Sequence, residues 1–146
     1  MAKINPYLTF NGNSEEAFNF YKSVFGGEFA MLQRFKDMPT QEGCEEMSAD
    51  DKEKIMHVAL PISDGHVLMA SDTIGKHADS FAVGNNISLS IAADSKAEAD
   101  KIFNGLSNGG TVTMPLADTF WGAYFGMCQD KFGISWMINY DYPPSQ

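Results

Sequence analysis

Residues 11–28, NGNSEEAFNFYKSVFGGE, spell one helix together with both of its ends. Asn13 or Ser14 can accept from the orphan backbone N–H groups at its start, Glu15 and Glu16 suit its positive pole, and Phe18, Tyr21 and Phe25 fall on one face. Gly26-Gly27 then stops it, because glycine readily takes the left-handed conformation that closes a helix. The same phrase returns at 94–110, DSKAEADKIFNGLSNGG, where Ser95 and Glu98 have capping-box spacing and Gly109-Gly110 follows. Outward from the first helix, residues 4–10 (INPYLTF) read as a strand entering the Asn11-Gly12-Asn13 turn, and 28–35 as a second strand. Residues 55–62 and 66–71 are strands around Ser63-Asp64-Gly65, where Asp-Gly predicts a tight hairpin with positive φ at its central residues. Around the second helix, strands are expected at 86–93, 111–116, 123–129 and 134–140, the last two joined by Asp130-Lys131-Phe132-Gly133. Each half therefore reads strand, capped helix, Gly-Gly, three strands. The two Gly-Gly pairs are offset further than the hairpin glycines Gly65 and Gly133, by about the length of an acidic stretch found only in the first half. The expectation is an α+β chain of two βαβββ modules, about 3–71 and 86–140, building a cupped, mostly antiparallel eight-stranded sheet in one domain.

Composition narrows the function. With 146 residues, 44% hydrophobic and 12% aromatic, the chain can bury roughly two thirds of its unfolded surface, and it lies outside the disordered class. A net charge of -9 with no basic cluster argues against nucleic acid as a partner. No apolar run suits a membrane span and the N-terminus has no leader pattern, so a cytoplasmic protein without membrane partners is expected. Cys44 and Cys128 have no second cysteine nearby, and the small buried apolar role is the plain reading of Cys128, Cys44 being incidental. The acidic stretch 36–54 carries Asp37, Glu42, Glu45, Glu46, Asp50, Asp51 and Glu53 but lacks the spacing and central glycine of a calcium loop, so it reads as a solvated excursion.

NPYLTFNGNSEEAFNFYKSVFGGE at the start, IMHVALPI with LMASD in the middle, and TFWGAYFG with DKFGISWMIN near the end resemble the PhnB-like branch of the vicinal oxygen chelate superfamily, which includes glyoxalase I, bleomycin-resistance proteins and extradiol dioxygenases. The resemblance spans about residues 5–140 and implies two βαβββ modules. In the metal-dependent members His and Glu side chains on the first and last strands of each module hold a Lewis-acidic ion. Carried over by position, those places fall near Pro6 or Tyr7 and Met69 in the first module, and near Asn86 and Met137 in the second. A slip of one residue brings in Thr9, Ser71 or Ser135, still without His, Asp or Glu. Such groups do not replace imidazole and carboxylate around a divalent ion. No metal or cofactor is therefore expected, and a divalent metal in a glyoxalase-type lyase or dioxygenase is held as the alternative.

The family is often labelled a demethylubiquinone methyltransferase, but no glycine-rich loop between a parallel strand and a helix, with an acidic residue at the next strand end, announces a nucleoside cofactor. His57 lies inside a strand, where a hydrogen-bonded structural role and a pocket role both remain open; the family carries a histidine at the matching place. His66 and His77 are expected in solvent. Trp121, Tyr124 and Phe125 read as aromatic walls or core, and the strand methionines Met56, Met69, Met114, Met127 and Met137 as core filling. The expectation is a small-organic-molecule-binding homodimer whose pocket is lined by Tyr7, His57, Met69, Asn86, Trp121 and Met137. No catalytic residue is assigned, and a purely structural or regulatory dimer is the third class.

Overall fold

A computed structural model describes residues 2–38 and 47–144. Contacts divide the chain into two compact units that meet in sequence at Ala82 and Val83. The first runs β1 (Tyr7–Phe10), α1 (Ser14–Phe25), β2 (Met31–Arg34), a 3-10 turn at Phe35–Asp37, α2 (Ala49–Lys52), β3 (Ile55–Ser63), β4 (His66–Asp72) and α3 (Lys76–Asp79). The second holds β5 (Leu89–Ala92), α4 (Lys96–Ser107), β6 (Thr111–Asp118), β7 (Ala123–Gln129) and β8 (Ser135–Asp141). The eight strands form two four-stranded sheets, ordered β1-β4-β3-β2 and β5-β8-β7-β6. In each, the first strand of the unit pairs in parallel with the last and the other pairings are antiparallel. This is the α+β, two-module arrangement expected from the repeat.

In the first unit α1 packs on β3 and β4. Its core face is Ala17, Phe18, Tyr21 and Val24, all buried, with Phe25 only half-buried beside them. Strand alternation supplies the other half of this core from Val58, Leu60, Leu68 and Ala70. Asn13 precedes α1 but makes no side-chain cap, contrary to expectation. Asp72, at the end of β4, does the work from across the sheet: its Oδ1 accepts the N–H of Gly12 (3.1 Å) and of Ser14 (2.9 Å), and its Oδ2 that of Ile55 (2.8 Å). A buried carboxylate with three backbone donors is well compensated, and it sits at the positive end of a helix. At the same helix start Glu15 takes a bidentate grip from Arg34 (2.5 and 3.1 Å), whose guanidinium also donates to the Glu53 carbonyl at 2.8 Å. That hydrogen bond holds the Glu15 carboxyl below its ordinary value, against a smaller opposing push from burial.

The hairpin of β3 and β4 departs from the expected turn. Gly65 has φ +78°, but no residue other than glycine takes positive φ among the described residues, so Asp64 does not follow it into a primed turn. The pairing register instead shifts between Pro61 and Ser63, and that irregularity absorbs the twist. The stretch 36–54 is partly ordered: Ser48 caps α2 by accepting the Asp51 N–H, while Cys44, Glu42, Glu45 and Glu46 lie outside the described residues.

The second unit has the expected α4, with Ser95 accepting from the Glu98 N–H at 3.0 Å. Ala99, Ile102, Phe103 and Leu106 pack against a sheet face carrying Cys128, Trp136 and Ile138. Tyr124 donates to Asp100 of α4 at 2.6 Å. Gly126 is required here: a Cβ would stand 2.9 Å from the Leu116 N and 3.0 Å from the Phe103 ring. Buried Asp130 organises the β7–β8 turn, its Oδ1 accepting from the Phe132 and Ile134 N–H groups and its Oδ2 from the Trp136 indole at 2.8 Å.

Replacing Asp72 by Asn removes one of the two carboxylate acceptors and should cost about 1–3 kcal/mol in urea unfolding; an unchanged midpoint would refute its bridging role. The Glu15 contribution is present above the carboxylate's unfolded value and is lost as pH falls through its lower folded value. Glu15→Gln should therefore flatten the acid side of the stability-pH curve while leaving the slope near neutrality unaltered.

Candidate functional site

The face of the first sheet away from α1 brings three of the expected site residues together. Tyr7 on β1 stands opposite Met69 on β4, which stands opposite Ala59 on β3. His57 lies two residues before Ala59 and so shares that face. The Tyr7 hydroxyl reaches diagonally over β4 to His57 Nδ1 at 3.2 Å, and the two rings stack with centroids 5.7 Å apart and planes 28° apart. Tyr7 is 49% exposed and His57 half-buried, so the pair is accessible rather than part of the core. A ring nitrogen bonded to a partner sets the role of the other one, so Tyr7 decides whether Nε2 donates or accepts. His66 and His77 are exposed.

In the second sheet Met137 on β8 stands opposite Ser90 of β5 on one side and Met127 of β7 on the other. Asn86 precedes β5 in a bend and is exposed, not on the strand where the family pattern placed it. The parallel register puts Ser90 beside Met137 instead. Ser90 was missed because the strand begins later than its sequence boundary suggested, and only the register with β8 reveals the position. Trp121 lies in the turn between β6 and β7, 56% exposed, its ring 6.1 Å from Phe125 and 5.0 Å from the fully exposed Phe120. Phe125 pairs with Asn139, two residues on from Met137, so Trp121 flanks the same face.

The strand methionines are not core. None of Met56, Met69, Met114, Met127 and Met137 is buried, and Met114 is 45% exposed. Cys128, in contrast, is buried as expected, and burial pushes its thiol up to about 11, which leaves it unreactive.

A cleft of about 510 Å³ in the first unit opens beside Arg34, Glu15, Lys36, Glu53 and Lys54. Its charges are spent on each other, in the Glu15–Arg34, Lys36–Glu53 and Lys54–Asp50 pairs. Among the described residues no three His, Cys, Asp or Glu side chains gather as a metal-holding group.

With this geometry in place the chain can be set beside known proteins. A family model described as 3-demethylubiquinone-9 3-methyltransferase matches residues 2–139. The chain belongs to this PhnB-like family. It is 42% identical to protein PA1353 from Pseudomonas aeruginosa, with TM-score 0.80 and coverage of 97% of this chain and 98% of that one. A putative 3-demethylubiquinone-9 3-methyltransferase, PhnB protein, from Bacillus cereus is 28% identical, with TM-score 0.73 over 95% and 99% of the two chains. Protein YjdN of Escherichia coli is 29% identical over 141 residues, 93% of each chain. A glyoxylase/bleomycin resistance protein/dioxygenase domain from Frankia, 12% identical over 97% of both chains with TM-score 0.62, shares the fold. The chain therefore has the glyoxalase/bleomycin resistance fold that the sequence resemblance implied.

Tyr7→Phe should release His57 Nδ1 and move its ¹⁵N resonance towards that of an unbonded imidazole nitrogen, with the amide spectrum elsewhere unchanged. An unmoved Nδ1 resonance would show that the contact does not persist in solution.

Proposed function

We propose that this protein binds a small organic molecule on the face of the first sheet that carries Tyr7, His57 and Met69, without the divalent ion of its metal-dependent relatives, and acts as a homodimer. The observation that carries this reading is the accessible Tyr7–His57 hydrogen bond. It engages one imidazole nitrogen and leaves Nε2 to meet an oxygen or nitrogen of a ligand. Around it Met69, buried Ala59 and Met31, which stands opposite Ala59 on β2, offer a low, largely apolar floor. Apolar walls with one convergent polar group suit a small, flat molecule bearing a single hydrogen-bonding oxygen. Trp121 and Met137 give the second sheet a similar character.

The donor set supports the absence of a glyoxalase-type centre. Tyr7, Met69, Ser90 and Met137 offer a phenol, a hydroxyl and two thioethers where a hard or borderline divalent ion needs imidazole and carboxylate. Methyl transfer from a nucleoside cofactor finds no support either. The glycine-bearing turn between β1 and α1 has its Gly12 and Ser14 N–H groups committed to Asp72. Gly26 and Gly109 follow their helices. For the homodimer, Ile87 (75% exposed) and Phe120 (97%) are apolar surface that a second copy would cover.

Screening a fragment library by ¹H-¹⁵N shifts should yield ligands that move residues of β1, β3 and β4. His57→Ala should weaken them by about tenfold, the worth of one good hydrogen bond. Hits that ignore these strands, or a stoichiometric nickel, zinc, manganese or iron in metal analysis of the purified protein, would overturn the reading. Sedimentation showing a monomer at micromolar concentration would remove the dimer.

A further inference from the structure

The second sheet carries an arrangement of which the family pattern touches only Met137 and the proposed ligand face on the first sheet uses none. Met114 of β6 stands opposite Met127 of β7, and Met127 stands opposite Met137 of β8. Paired residues project to the same side, so three thioethers form a row across three adjacent strands, on the face away from α4. The row is accessible: Met114 is 45% exposed, and Met127 and Met137 are half-buried. The pairing register shifts on both sides of Met114, so this edge strand is locally irregular just where the methionine faces its neighbour. Core packing does not explain the row, because Cys128, Trp136 and Ile138 form the packed side of these strands.

Directly opposed residues on neighbouring strands have Cβ atoms about 4.5–5.5 Å apart. A methionine has three rotatable side-chain bonds and a polarisable sulfur, so two outer thioethers can lean towards a central one. Three neutral soft donors that lean onto one ion would select a soft monovalent cation and discriminate against zinc, magnesium or calcium, which want nitrogen or oxygen. The flanking side chains on this face, Ser90, Asn139, Gln129 and Phe125, bring no charge and no competing imidazole or thiolate. The chain's net charge of -9 favours a cation over an anion as the visitor.

We propose that Met114, Met127 and Met137 form a three-thioether site for a soft monovalent metal ion, copper(I) or its redox-inert surrogate silver(I). Binding is coordination alone: no bond to carbon breaks and no electron moves. The site is built from residues of the second unit and the Tyr7–His57 face from residues of the first, so either reading can fail without the other.

Titrating the full chain, labelled with ¹³C at the methionine methyl groups, with silver(I) tests this. One equivalent should shift the methyl resonances of Met114, Met127 and Met137 together and leave those of Met31, Met56 and Met69 in place. Met127→Leu, which keeps the bulk and removes the sulfur, should weaken silver(I) and copper(I) binding by roughly tenfold or more in chelator competition. Met114→Leu at the exposed edge should do the same if the central variant fails to fold. Methyl resonances that stay put at one equivalent, leucine variants that bind as tightly as the parent, or silver taken up by a cysteine thiol while the three methyls remain unmoved would each overturn the proposal.

Discussion

One buried carboxylate holds the first unit in register. Asp72 ends β4, yet its acceptors satisfy backbone donors before and at the start of α1 and at the start of β3. Buried N–H groups without partners cost more than a made hydrogen bond gives back, so the side chain is a constraint on where three elements can meet. The second unit uses an acid differently. Asp130 acts within its own turn and on the Trp136 indole, fixing the β7–β8 hairpin and the largest buried side chain at once. The two halves share a chain path while locking it with unrelated contacts.

The local grammar of the chain was readable to the extent that it was local. Helical spacing and glycine stops place α1 and α4 to within a residue, and the repeat places four strands in each half. The parts that escaped reading depend on partners distant in sequence. Asn13 looks like the cap of α1, but the group that bonds its first turn comes from Asp72, far along the chain. His57 has no partner in its own strand, and Tyr7 reaches it only because β1 adds to the sheet beside β4. Asn86 gives way to Ser90 for the same reason, since register is a property of two strands. The methionines misled in another way: apolar alternation shows that a strand has two faces but not which one meets the helix.

The fold and the side chains it carries are separate questions. Tyr7 and Met69 stand opposite each other in one sheet and Ser90 and Met137 in the other, and these side chains are neutral or soft. Together they present aromatic, hydroxyl and thioether surface. A shared fold does not carry a chemistry with it, so what this sheet can do has to be argued from these side chains.

The parallel pairing of β1 with β4, and of β5 with β8, also sets the order in which the chain can assemble. In each unit the first strand to leave the ribosome is the one that waits for the last. Until β4 exists, β1 has no ladder partner and α1 lacks the carboxylate for its opening turn. Closing such long loops is entropically slow, so the antiparallel hairpins are expected to form early, with β1 and β5 docking as the final step of each unit. Truncating the chain just short of Asp72 would therefore strand the beginning of the first unit as well as its end.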